Sequence, residues 1–76
     1  MKEILETIIK NLVSNPNEVS INEIQGEKSV TYEVKVADGD MGKIIGKQGR
    51  IAKAIRTVLK AVAVKEQKKV TIEFLD

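Results

Sequence analysis

Over the first dozen residues Ile4, Leu5, Ile8, Ile9, Leu12 and Val13 recur at helical spacing. Lys2, Glu3, Glu6, Lys10 and Asn11 take the other side, which predicts an amphipathic helix over residues 3–14. Pro16 pushes the residue before it out of the α region, so the helix should stop at Ser14 and Asn15. The period then shortens to two. Val19-Ser20-Ile21-Asn22 reads as a short strand, and Ile24 falls out of phase, as at a bulge or a strand end. After a turn at Gln25-Gly26-Glu27-Lys28, Val30, Tyr32, Val34 and Val36 alternate with Thr31, Glu33 and Lys35 in the clearest strand of the chain, one with a single buried face. So short a connection joins the two strands most simply as an antiparallel hairpin.

Residues 37–40 form a loop in which Asp40 is placed to cap a short helix from Met41 to Ile45. A glycine pair follows, then a helical pattern from Arg50 to about Val64. A charged break at Lys65-Glu66-Gln67 precedes a last alternating strand, Val70 to Phe74, introduced by Lys68-Lys69. Tyr32 and Phe74 both fall at the inward phase of their strands. The order helix, strand, strand, short helix, helix, strand predicts one two-layer α+β domain over residues 1–76, three helices on a three-stranded sheet. The strand order is left open.

The chain has 76 residues, which is enough for one economical core. It contains no Cys and no His, so disulfides, thiolate metal sites and the commonest metal ligand and general base are excluded, and no cofactor is implied. A reducing, cytoplasmic setting is expected. Glu3 and Glu6 inside the first helical pattern argue against a signal peptide or a membrane span. The net charge of +2 conceals an asymmetry: from Met41 to Val64 the chain carries Lys43, Lys47, Arg50, Lys53, Arg56 and Lys60 and no acid. No acid in that region is available to pair with a nucleophile or hold magnesium, and the serines show no triad logic. An enzyme is not expected.

The chemistry concentrates in Gly42-Lys43-Ile44-Ile45-Gly46-Lys47-Gln48-Gly49-Arg50-Ile51. Gly46 and Gly49 permit a tight turn and close approach of a ligand to the backbone. The amides of Gln48, Gly49 and Arg50 should open outward at a helix N-terminus, as an anion site. Lys43, Lys47 and Arg50 surround it with positive charge, and Ile44, Ile45 and Ile51 supply an apolar wall on which bases can lie. Ile45 and Ile51 read equally as core. Lys53, Arg56 and Lys60 read equally as solvated face or contact surface, and Lys53, the nearest, is included in the site. The spacing of Gly42 and Gly46-Lys47 does not fit a Walker A loop, which needs four residues between its glycines and Ser or Thr after the lysine.

The run from Ile44 to Ile55 resembles the signature of the KH domain, whose G-x-x-G loop clamps the backbone of about four single-stranded nucleotides. The element order is similar to the type II arrangement of bacterial KH proteins, and the resemblance covers essentially the whole chain. It implies single-stranded RNA as ligand, bound by Lys43, Ile44, Ile45, Gly46, Lys47, Gln48, Gly49, Arg50, Ile51 and Lys53. It further implies the role of an RNA chaperone or post-transcriptional regulator, with links to cell shape, elongation and division. Single-stranded DNA stays open. The long helix also has an apolar arc of about 200°, twice the roughly 100° that a surface helix needs. Ala54, Val58 and Ala61 form a small-residue seam on which a second subunit could pack, unless the first helix covers it. The resemblance implies homodimers, or heterodimers with a larger KH-containing protein. The alternative function is a dimerisation module in which nucleic-acid binding is secondary.

Overall fold

The computed structural model describes residues 1–46 and 48–75. Among them are three α-helices and one three-stranded sheet: α1 (Lys2–Leu12), β1 (Ser20–Gln25), β2 (Ser29–Lys35), α2 (Asp38–Ile45), α3 (Arg50–Lys65) and β3 (Lys69–Leu75), with a 3₁₀ turn at Pro16–Glu18. The expected α-β-β-α-α-β order is the one observed. None of the described helices is long and apolar enough to cross a membrane.

The sheet runs β1-β2-β3, which settles the strand order. β1 and β2 form the expected antiparallel hairpin, closed by the Gly26 N–H on the Ser29 carbonyl at 2.8 Å. β3 instead lies parallel to β2, with Val30 opposite Val70 and Tyr32 opposite Ile72. Val30, Tyr32 and Val34 of β2, with Val70 and Ile72 of β3, point into one face and are buried there with Leu5 and Ile9 of α1, Ile44 of α2, and Ala52, Ile55, Leu59 and Ala63 of α3. Those four α3 residues span three turns on one stripe, so this helix presses lengthwise on the sheet.

Ile24 is neither a bulge nor a strand end. β1 continues through it in regular register, Ile24 opposite Thr31 and Gln25 opposite Val30, because the pairing is fixed by the hairpin closure and by Ile21 facing the core opposite Val34. With a period of two, Ile24 must then point to solvent, and it is 50% exposed. The inward position beside it goes to Glu23, a charged residue facing inward on an edge strand, a device that discourages edge-to-edge pairing. Gln25 Nε2 donates to Glu23 Oε2 at 2.6 Å. That bond, with a further one from the Tyr32 hydroxyl, holds the Glu23 carboxyl below the usual carboxylate range.

α2 begins earlier than its expected start at Met41. Ala37 is the N-cap, and Asp40 lies within the first turn, its own N–H donating to the Ala37 carbonyl at 2.8 Å. Asp38 and Asp40 both sit in that turn, where negative charge favours a helix N-terminus. Asp40 therefore caps no helix. Its carboxylate accepts from the Ser14 N–H (3.0 Å) on Oδ1, and from the Asn15 N–H (2.9 Å) and Asn15 Nδ2 (3.2 Å) on Oδ2. With 2% of its surface exposed, Asp40 is the one buried charged side chain among the described residues. It ties the turn after α1 to the first turn of α2. α1 itself ends at Leu12, and Val13 is extended, which frees the Ser14 and Asn15 amides for that contact.

The backbone amide of Ser14 is the main cause holding the Asp40 carboxyl below its ordinary 3.8. A depressed folded-state value means that the contribution to stability is complete above the ordinary value and fades as pH falls through it. Asp40→Asn is expected to lower the urea midpoint at neutral pH, and the deficit relative to the parent should shrink as the pH drops below about 4. Urea unfolding across that range measures both. Tyr32 shifts the other way: burial first, then its bond to Glu23, pushes the phenol up to about 12. Its contribution is present below the ordinary tyrosine value and lost as pH rises through the raised one. As Tyr32 is the only tyrosine of the chain, tyrosinate absorbance in an alkaline titration should show one step at about 12, and Glu23→Ala should move it down.

Candidate nucleic-acid interface

α2 closes on Gly46, whose N–H donates to the Gly42 carbonyl at 2.7 Å. A Cβ on Gly46 would collide with that same carbonyl oxygen, so the turn of backbone after Ile45 requires glycine here. The chain then reverses through two left-handed residues, Gln48 (φ 62°) and Gly49 (φ 74°). Glycine adopts this conformation freely, and a glutamine there stores a modest strain. Lys47, expected to carry positive charge in the loop, lies outside the described residues.

The loop amides do not all open outward. The Gly49 N–H is spent internally, on the Ile45 carbonyl at 2.9 Å and the Gly46 carbonyl at 3.3 Å. This pair of bonds closes the loop onto the end of α2, because Gly49 must be both the turn residue and the N-cap of α3. The first intrahelical bond of α3 runs from the Lys53 N–H to the Gly49 carbonyl at 2.9 Å. The amides of Arg50, Ile51 and Ala52 thus open the helix without intrahelical acceptors, and the positive pole of the helix lies two residues later than the expected amides of Gln48, Gly49 and Arg50.

The expected site residues separate. Ile44 is fully buried in the core, so it supports the loop from behind and cannot line a groove as the sequence suggested. Ile45, one residue on, is 45% exposed and available to a ligand. Lys43 is held on the α1 side: its ammonium donates to Ser14 Oγ and lies 3.6 Å from Asp40 Oδ1. Part of its charge is therefore committed within the fold. Arg50 and Lys53 are exposed beside the start of α3. Ile51 is half-buried and turns towards α1, where it borders one hollow with Leu12, Gly42, Lys43 and Gly46 and a second with Ile8, Ala54 and Val58.

α3 consequently presents two flanks beside its buried stripe. Lys53, Arg56 and Lys60, at i, i+3 and i+7, share one of them. There Arg56 and Lys60 meet the outer edge of β3 at Lys69, Val70, Thr71 and Ile72 in a cleft of ≈ 220 Å³. The β3 edge was missed from sequence. The signal available was Lys68-Lys69 before a strand, but nothing local says which element that strand lies beside. On the other flank Ile51, Ala54, Ile55 and Val58 face Ile8 and Leu12 of α1 across a wholly apolar groove of ≈ 240 Å³. Ala54 and Ala61 are exposed and Val58 is 45% exposed, so α1 does not cover this seam.

Residues 2–74 match the family model described as KhpA/KhpB, KH domain. A protein of Clostridium acetobutylicum named RNA-binding protein KhpA is 63% identical over 75 residues, covering 99% of this chain and 100% of that one. Its namesake in Clostridium perfringens is 60% identical with the same coverage. That of Chlamydia trachomatis is 53% identical over all of this chain and 97% of its own. The helix order and the mixed sheet agree with a type II KH fold, and the family is not one of enzymes. The chain belongs to the KhpA/KhpB family of KH domains.

Proposed function

We propose that this protein binds single-stranded RNA at the G-x-x-G turn and along the basic flank of α3, in a reducing cytoplasm. The observation that carries the reading is the left-handed Gln48-Gly49 turn, which delivers the chain into α3 with three first-turn amides and Arg50 at one place. A phosphate seated there meets backbone donors and a helix N-terminus. Family relatives bearing the name RNA-binding protein support the ligand class. From the turn the strand runs past Ile45 and Lys53 towards Arg56, Lys60 and the β3 edge. Tyr32 is buried and Phe74 half-buried, so bases are held by aliphatic contact and hydrogen bonds instead of aromatic stacking. About three or four phosphate contacts give a shallow salt slope, near 0.7 per contact. The cellular role that follows is that of an RNA chaperone or post-transcriptional regulator.

The apolar groove between α1 and α3 supports a second element of the reading, self-association through Ala54, Val58 and Ala61, or pairing with a larger KH-containing protein on the same seam. Because this groove and the basic cleft occupy different flanks of α3, a pair could hold two RNA sites at once and gain avidity.

Two expected outcomes test these points. A Lys47→Asp/Gln48→Asp variant keeps a residue tolerant of left-handed backbone at position 48 and reverses the local charge. It should retain its fold by circular dichroism and lose about tenfold or more in affinity for labelled short RNA by fluorescence anisotropy, with matched DNA as the comparison. Equal binding by parent and variant would remove the turn from the site. In sedimentation velocity the parent should run as a dimer at micromolar concentration and a Val58→Asp variant as a monomer; identical behaviour would dismiss the seam.

A further inference from the structure

Arg56 is tethered in a way that leaves one particular set of its donors for a ligand. Its Nε and Nη2 both donate to the Ile72 carbonyl, at 3.4 and 3.3 Å, and its Cζ stands 5.3 Å from the centroid of the Phe74 ring. A guanidinium has five N–H groups in one plane. The two bonds to Ile72 use the Nε side, so the parallel N–H pair of Nη1 and Nη2 forms a free fork at the cleft bordered by Lys60, Lys69 and Thr71. The ring and the carbonyl hold the fork's plane, so less conformational freedom is lost when a ligand takes it.

That fork needs two acceptors side by side. Guanine carries them as O6 and N7, and cytosine as O2 and N3. Adenine sets an amino donor beside N1 and N7, and uracil separates its two carbonyls by an N–H. The strand edge adds a donor: the Ile72 carbonyl faces outward to Arg56, and the N–H of a strand residue leaves on the same side as its carbonyl. Lys60 and Lys69, as compact point charges on the same cleft, suit the flanking phosphates.

We propose that Arg56 is the base-selecting residue of this protein, favouring single-stranded RNA that presents guanine or cytosine at the α3–β3 cleft over adenine or uracil. The proposal rests on the RNA-binding reading and names the bases it would select.

The test is fluorescence anisotropy with short labelled oligouridine carrying a central run of G, C, A or U, using the parent and Arg56→Lys, which keeps the charge and removes the fork. The parent should prefer the G- or C-bearing strand by about tenfold over A and U. In Arg56→Lys the ratio should fall to about one, with an unchanged far-UV circular dichroism spectrum showing that the fold is intact. Replacing guanosine by 7-deazaguanosine separates the two sources: loss of the preference assigns guanine through N7, whereas a preference confined to the cytosine strand assigns cytosine. Equal binding of all four strands by the parent, or a preference retained in Arg56→Lys, overturns the proposal while leaving RNA binding in place. Absence of binding to every strand overturns the RNA reading itself.

Discussion

The parallel pairing of β2 with β3 is the constraint on which the rest of this molecule depends. Parallel neighbours cannot be joined by a tight turn, so the chain must leave the end of β2, cross the sheet and return to the level at which β2 began. The Lys69 N–H on the Lys28 carbonyl, at 3.0 Å, marks that return. The crossover is α2, the glycine turn and α3. Its length is taken up by α3, whose buried stripe of Ala52, Ile55, Leu59 and Ala63 lies on the sheet. The small Ala52 and Ala63 at its ends let the helix approach closely. The outer edge of β3 is thereby brought beside Arg56 and Lys60, and the glycine turn is set at one end of the layer.

A turn between the two helices of a crossover is held here from both sides. On one side Gly46 packs against the Gly42 carbonyl and Gly49 bonds back to Ile45 and Gly46. On the other, the Asp40 carboxylate gathers the Ser14 and Asn15 amides and so fastens α2 to the end of α1. Lys43, expected from sequence in the binding surface, takes part in that fastening. Among the described residues of the turn and α3, the exposed positive charge not committed to that fastening consequently lies on Arg50 and along the Lys53, Arg56 and Lys60 flank, displaced towards β3.

α3 serves three surfaces with one helix. Its inner stripe makes the core, its basic flank meets the β3 edge, and its apolar flank faces the groove against Ile8 and Leu12. The wide apolar arc of the sequence is the sum of the first and the third. Ile51, assigned from sequence to a base-lining wall, borders both the third and the hollow beside Gly42, Lys43 and Gly46, because five residues at 100° each set it about 140° round the helix from Arg56, towards α1.

The sequence by itself determined the elements, their order, the inward phase of β2, the glycine turn and the concentration of positive charge after it. These rest on local periodicity and on the conformations open to glycine, which neighbouring residues set. Tertiary structure decided what pairs with what: that β3 runs parallel beside β2, that Asp40 reaches across to Ser14 and Asn15, that Ile44 is inside while Ile45 is outside, and that Ile51 and Arg56 face opposite ways. Each depends on contacts between residues far apart in the chain. Periodicity says which face of an element is apolar, but only the packing of all the elements says which neighbour that face meets.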